Sequence, residues 1–314
     1  MSIYLTKRLI IGLVTLLLAS VVVFAVLEIL PGDPARIMLG MNAGAEALAA
    51  LRQELGLDQT APVRYLNWLS GLMTGDLGRS YTYSTPVIEL VRERLGVSLP
   101  LALISLFLST AIAIPVGVYA ASRNGRPSDT IAMGAAQIGI ALPNFWLALI
   151  LVYVFAVGLR LLPSGGFPGW EDPIQAIKAL ILPSVALALP QAAILARVTR
   201  SAMLEVLGED YIRTARAKGL PRRKVLWRHA LRNAMIPVLT ILGLQFSFLL
   251  AGTIIIENVF YLPGLGRLIF QAINQRDLIV VEGVVMLLVA SVILINLVVD
   301  ICYAIVDPRL RVGQ

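Results

Sequence analysis

The chain has 314 residues, of which 58% are hydrophobic and only 14% charged, with a mean hydropathy of +0.83. Soluble domains carry about 25% charged residues, so a soluble globular protein is excluded and a polytopic membrane protein is expected. A single cysteine, Cys302, and a single histidine, His229, leave no disulfide framework and no multi-histidine metal centre within the subunit, and the net charge of +7 needs a topological explanation.

A helix needs roughly 20 apolar residues to cross about 30 Å of hydrocarbon. Six stretches qualify: 9–30, 100–121, 130–159, 180–198, 234–256 and 283–306. The first follows Lys7-Arg8, but its apolar core exceeds that of a secretory signal and no small-x-small cleavage site follows, so it reads as a retained helix. Within residues 31–99, Leu48, Leu51 and Leu55 make a helical stripe closed by Gly56. Thr85-Pro86 reads as an N-cap followed by a proline at the first helical position. This segment is expected to pack as a small helical cap rather than serve as a plain connector, because intervals beyond about 15 residues usually carry a role. Pro115, Pro143 and Pro190 lie within spans, where the missing amide donor and the ring clash favour kinks. Membrane helices also tolerate proline without functional meaning.

Between Arg197 and Arg232 the chain carries ten Lys or Arg against three acids. The loop 199–233 parses as helix, stop, helix: Gly219 can take the left-handed position that ends a helix, and Pro221 cannot continue it. Tyr211 and Ala215 share one face, as do Trp227 and Leu231, whereas Arg213, Arg216, Arg228 and Arg232 project elsewhere. Small residues at Ala215, Ala217 and Gly219 would let a partner approach closely. With the N-terminus inside, this loop falls on the cytoplasmic side together with Lys7, Arg8, Arg123, Arg126, Arg309 and Arg311. That is the arrangement the positive-inside rule favours, and it puts both termini in the cytoplasm. The basic residues would also attract the anionic headgroups of the bilayer. Glu28 and Glu257 read as interfacial at outer span ends, and Asp300, in the last span, is expected to snorkel to the inner interface.

The loop resembles the cytoplasmic loop of ABC-type importer permeases, whose pattern is Glu-Ala-Ala, three residues, Gly, nine residues, Ile-x-Leu-Pro. Alignment on Gly219 puts Arg213-Thr214-Ala215 at the first triplet and His229-Ala230-Leu231-Arg232 at the last quartet, so only Ala215, Gly219 and Leu231 match the general form. The form seen here, 213–219 followed by 229–233, is similar to the dipeptide/oligopeptide branch of that family. Pro31-Gly32-Asp33-Pro34, Gly75-Asp76-Leu77-Gly78, Pro143-Asn144-Phe145-Trp146, Pro263-Gly264-Leu265-Gly266 and Asp307-Pro308-Arg309 look like the same branch. The resemblance covers nearly the whole chain, and the long interval after the first span is typical of the dipeptide-permease "B" type.

The resemblance implies an all-α membrane protein of six transmembrane helices with the type I ABC importer permease fold and a helical extracytoplasmic segment between the first two spans. It divides the chain into a first helix (1–30), a cap (31–99), a five-helix permease core (100–306) and a tail (307–314). It implies a bacterial inner-membrane permease for short peptides, with nickel or glutathione uptake open in the same branch. The expected partners are a second permease, two ATP-binding subunits, an extracytoplasmic solute-binding protein and the lipid bilayer. Docking of the ATP-binding subunits is expected at Tyr211, Arg213, Ala215, Arg216, Ala217, Gly219, His229, Leu231 and Arg232, with Tyr211, Ala215 and Gly219 as the buried part of the joint and His229 as a hydrogen bonder rather than a pH sensor. No Gly-x-x-x-x-Gly-Lys-Ser/Thr loop occurs, so ATP and Mg²⁺ belong to the partners and this chain holds no cofactor.

Three other classes fit less well. A secondary transporter would want coupling charges deep in broken helices, and apart from Asp300 the span interiors nearly lack them. A membrane enzyme would want Gly-x-Ser-x-Gly, His-Glu-x-x-His or more than one histidine. Nucleic-acid binding by the helix pair conflicts with its tethering to the bilayer at both ends.

Overall fold

The computed structural model describes residues 2–29, 33–40 and 43–306; Pro31-Gly32 and the tail 307–314, with Asp307-Pro308-Arg309 and Arg311, lie outside the described residues. Among the described residues the secondary structure is helical, apart from one isolated antiparallel bridge between Arg79 and Pro86. The helices are α1 (Ser2–Ile29), α2 (Pro34–Leu39), α3 (Ala45–Glu54), α4 (Ala61–Thr74), α5 (Val87–Ser122), α6 (Pro127–Ala141) and α7 (Asn144–Leu151), which continues as a π-helical turn over Val152–Gly158. They are followed by α8 (Pro173–Leu207), α9 (Asp210–Ala217), α10 (Arg222–Lys224), α11 (Leu231–Val259), α12 (Leu265–Gln275) and α13 (Leu278–Val306). A π-helical stretch over Val225–Ala230 joins α10 to α11.

Among the described residues, five helical stretches are long and apolar enough to cross a bilayer: Thr6–Ile29, Val87–Ser122, Pro173–Leu207, Arg222–Leu250 and Leu278–Ile301. A sixth exists if α6 and α7 form one broken span, for their axes bend by 101°. The kink expected at Pro143 within 130–159 is present, as a full break between α6 and α7. Leu142 precedes a proline and is pushed to extended backbone (φ −80°, ψ 124°), and Pro143 offers no amide to continue α6. By contrast, α5 runs on through Pro115 and α8 through Pro190.

The chain forms two compact units. One comprises Leu99–Leu262 and the chain from Ile295 onward. Its buried axis is α8, whose Leu180, Leu187, Leu195 and Met203 are almost wholly enclosed, and which packs against α6, α7 and α11. Where α5 meets α8 there is no room for a side chain: a Cβ on Gly117 would lie 2.6 Å from Thr199 Cβ and 2.7 Å from the Ala196 carbonyl oxygen. Small residues at such crossings let membrane helices gain van der Waals contact. Two sequence expectations fail in this unit. Glu257 is fully buried rather than interfacial, and Asp300 is only 7% exposed rather than snorkelled outward. Both engage other groups of the protein, as a carboxylate in apolar surroundings must to offset its desolvation.

The other unit comprises Ser2–Ser98 and Pro263–Leu294. Its core joins Leu27 of α1, Val87 and Val91 of α5, Leu268 of α12, and Val280 and Val284 of α13. Polar pins fix the loops onto this core: Asp277 accepts from Ser80 Oγ (2.5 Å) and Thr82 N (2.9 Å), and Leu265 N donates to Ser98 Oγ (2.7 Å). Leu48 of α3 is buried as its stripe predicts, and Gly56 follows with φ +66°. The expected Thr85 cap is not made: the Thr85 hydroxyl has no hydrogen-bond partner, Pro86 pairs with Arg79 in the isolated bridge, and α5 starts at Val87. Glu28, exposed near the end of α1, pairs with Arg64 of α4.

Candidate functional site

The basic loop begins where α8 ends. Gly208 and Glu209 form the only interval before α9, and Asp210 in its first turn and Arg216 in its last both suit the helix dipole. Two hydrogen bonds close α9, from Gly219 N to Arg216 O (2.9 Å) and from Leu220 N to Ala215 O (3.3 Å). With Gly219 at φ +75°, this is the Schellman arrangement, and Leu220 packs on the cluster that contains Ala215. Pro221 then caps α10 in extended backbone. The expected stop at Gly219-Pro221 is present.

The second half differs from the expected separate short helix. From Arg222 the chain is helical without a break into the α11 span, because nothing between Pro221 and Pro237 interrupts it. The elbow is thus α9 folded against the N-terminal end of a span helix, and α10 continues into α11. The wider spacing at Val225–Ala230 accommodates one extra residue per turn at the junction.

The inner face of the elbow is apolar. Ile212 and Ala215 are buried with Met203 of α8, Val225 and Ala230 in one cluster that reaches Val118 and Ala121 of α5. Polar ties reinforce it: Asn233 Nδ2 donates to Tyr211 Oη (2.6 Å), and Arg222 donates to the Ser122 carbonyl. A further pair braces the neighbouring turn, where Arg200 grips Asp129 with both Nε (2.6 Å) and Nη2 (2.7 Å) and reaches Asn124 Oδ1 (3.0 Å). Asp129 is 5% exposed at its side chain, and the bidentate geometry makes this pair strong.

The outer face is polar and open. Tyr211, Arg213, Arg216, Ala217, Gly219 and Arg232 are exposed, whereas His229 and Leu231 are half-buried. Arg213 lies 3.3 Å from Asp210, but both are so exposed that the pair contributes little to stability. Ala215 departs from the others: it faces the chain's own core and is not on the outer face with Ala217 and Gly219. Sequence reasoning missed Ile212, the most buried residue of α9, and the Arg200–Asp129 and Arg222–Ser122 ties. The spacing of Ile212 three positions before Ala215 and its apolar character among charges was a usable signal; the ties, 71 and 100 positions apart, left none.

Residues 113–312 match the family described as binding-protein-dependent transport system inner membrane component, and residues 1–104 match the N-terminal part of such membrane components. A protein of Brucella abortus (strain 2308), provisionally named a peptide transport system permease protein, is 44% identical over 312 residues, covering 99% of each chain. The glutathione transport system permease protein GsiC of Salmonella choleraesuis (strain SC-B67) is 42% identical over 308 residues, covering 98% of each. Among solved structures, an inward-facing form of the MetNI methionine ABC transporter aligns with a TM-score of 0.58 at 21% identity, over 69% of this chain and 96% of that one, a likeness of fold. This chain belongs to the family of binding-protein-dependent transport system inner membrane components, and is a multi-pass permease of the ABC importer type.

Proposed function

We propose that this permease carries short peptides inward together with a second permease of similar fold, taking cargo from an extracytoplasmic solute-binding protein. Two ATP-binding subunits dock on the outer face of α9 and the start of α10. The full-length identity to relatives named for peptide and glutathione transport carries this reading of the cargo. Glutathione, itself a tripeptide, is the second reading, and nickel a more distant one within the branch. The chain is non-catalytic, and ATP and Mg²⁺ reside in the docked subunits.

In this reading the N- and C-termini and the elbow are cytoplasmic, and the segment 31–95 lies outside to receive the binding protein. Closure of the ATP-binding subunits tilts α9. The apolar contact of Ile212 and Ala215 with Val225 and Ala230 makes that tilt a movement of the α10–α11 helix, and the Gly208-Glu209 connection passes it to α8. The exposed guanidiniums of Arg213, Arg216 and Arg232 offer charge-assisted bonds to acids on the docked subunit.

The test is uptake by proteoliposomes holding both permeases and both ATP-binding subunits. Labelled dialanine and labelled glutathione are offered with the binding protein, with ATP on the elbow side. Uptake that needs ATP, the binding protein and the ATP-binding subunits is expected. Uptake without the ATP-binding subunits, or a cysteine at Ala217 that labels only from the binding-protein side, would refute the reading.

A further inference from the structure

The inward face of α4 is fixed to the first span. Ser20 is 1% exposed and its hydroxyl donates to Leu17 O (2.8 Å), so in the 2.9 Å bond between the two hydroxyls Tyr65 Oη is the donor and Ser20 Oγ the acceptor. Tyr65 and Trp68 pack around Phe24, with ring centroids 5.4 and 6.0 Å away. Arg64 pairs with Glu28. Successive turns of α1, at Ser20, Phe24 and Glu28, thus hold the same first half of α4.

These contacts give α4 a depth. For an upright helix rising about 1.5 Å per residue, centring about 30 Å of hydrocarbon on Thr6–Ile29 puts its edge between Leu27 and Glu28. Phe24 then lies about 5 Å inside that edge and Ser20 about 11 Å inside it. The ion pair of Arg64 with Glu28 sits at the edge, and the Tyr65 hydroxyl reaches well below it. A tyrosine and a tryptophan at this level, beside an arginine that carries its charge back to the boundary, are what a membrane interface selects.

The opposite face of α4 suits the same place. Val63, Leu66 and Met73 are 45%, 61% and 83% exposed and share one side with Pro62 at helical spacing. The hydroxyl on that side, Ser70 Oγ, donates to Asn67 O (2.7 Å), and Thr74 Oγ1 at its margin donates to Gly71 O (2.9 Å), so both donors are answered without water. At the same level α1 exposes Leu18, Val21 and Val22, the ordinary surface of a span. With 14 residues α4 is too short to cross a bilayer, which is why hydropathy alone does not mark it.

We propose that α4 is an interfacial helix, lying in the leaflet at the end of α1 with Val63, Leu66 and Met73 against lipid acyl chains. Helices of this kind sink their apolar face about 5–10 Å into the boundary, the depth that Phe24 and Ser20 set here. The occupant of the exposed face is lipid because the bond to Ser20 holds the helix where water is absent. In this position α4 fastens the segment between the first two spans to the bilayer. The inference rests on α1 crossing the membrane and is independent of the cargo and of which side the segment faces.

The experiment places a nitroxide on the full chain in lipid nanodiscs, in a Cys302→Ser background. The labelled positions are Leu66→Cys and Met73→Cys on α4, Val22→Cys in the span and Gln53→Cys on the exposed side of α3. Collision rates are measured with oxygen, which concentrates among acyl chains, and with a water-soluble nickel chelate. The ratio of oxygen to nickel collisions at Leu66 and Met73 is expected to match that at Val22 and to exceed that at Gln53 several-fold. Met73 touches little of the protein, so its label decides the matter even where Leu66→Cys fails to fold. A ratio at the Gln53 level puts the face in water and overturns the proposal. Low rates with both reagents also overturn it, in the lone chain or in the assembled transporter, since protein rather than lipid then covers the face.

Discussion

Ala215 and Ala217 sit two positions apart on α9 and answer to different neighbours. Ala215 is enclosed with Met203, Val225 and Ala230, so Ala215→Leu overpacks the chain's own core and costs about 1–3 kcal/mol. Ala217 is exposed, so Ala217→Leu leaves the thermal midpoint of the purified chain unchanged; comparing the two midpoints checks the assignment. A similar contrast separates two ion pairs. Asp129→Ala strands the Arg200 guanidinium and lowers the midpoint, whereas Asp210→Ala breaks an exposed pair, loses only a helix-dipole contact and lowers it far less. Asp33, whose carboxyl is held below its usual range chiefly by the hydrogen bond from Arg52, caps α2 at Ala35 N. Its folded-state value is depressed, so its contribution is present above about pH 4 and is lost as the pH falls through the lower value. Hydrogen exchange at Ala35 should therefore be flat from about pH 5 to 8, after correction for intrinsic rates, and accelerate only in stronger acid. Which residues would stop and turn the loop was legible, because Gly219 and Pro221 act through local backbone geometry. Which residues would face inward was legible only in part, since Ile212 and the pairing of Arg200 with Asp129 depend on contacts made across the fold.

At the scale of elements, hydropathy located every long apolar helix, while proline chemistry distinguished poorly among them. Pro115 and Pro190 are absorbed inside continuous helices, and Pro143 breaks one. The bend of 101° between α6 and α7 is attributed to Pro143 and the extended Leu142 before it. Pro143→Ala restores the amide donor and frees Leu142, so α6 and α7 should straighten. Spin labels at Ser128 and Tyr153 would then move apart in a pulsed dipolar measurement; an unchanged distance would place the cause in packing against α8 instead. The continuity of α10 with α11 was not legible as one element, because the charge density over 222–232 marks a surface and hides the helical register it shares with the apolar run beyond.

For the whole molecule, the charge asymmetry points to an arrangement of spans, yet the grouping of chain segments had no sequence signature. Residues 2–98 associate with 263–294 through Asp277, Ser98 and an apolar cluster that joins Leu27, Val87 and Val91 to Leu268, Val280 and Val284, far apart in the chain. Such pairings emerge only when the chain is folded. In the function proposed above, the elbow passes the movement of a docked ATP-binding subunit to the span of α11. The most direct measurement reconstitutes the full transporter with Ala217→Trp, which adds bulk to the outer face without touching the core, and follows ATP hydrolysis and peptide uptake with and without loaded binding protein. A docking role predicts an assembled, folded complex whose hydrolysis no longer responds to the loaded binding protein and whose uptake falls to the level seen without ATP. Hydrolysis and uptake both at the unmodified level would contradict it.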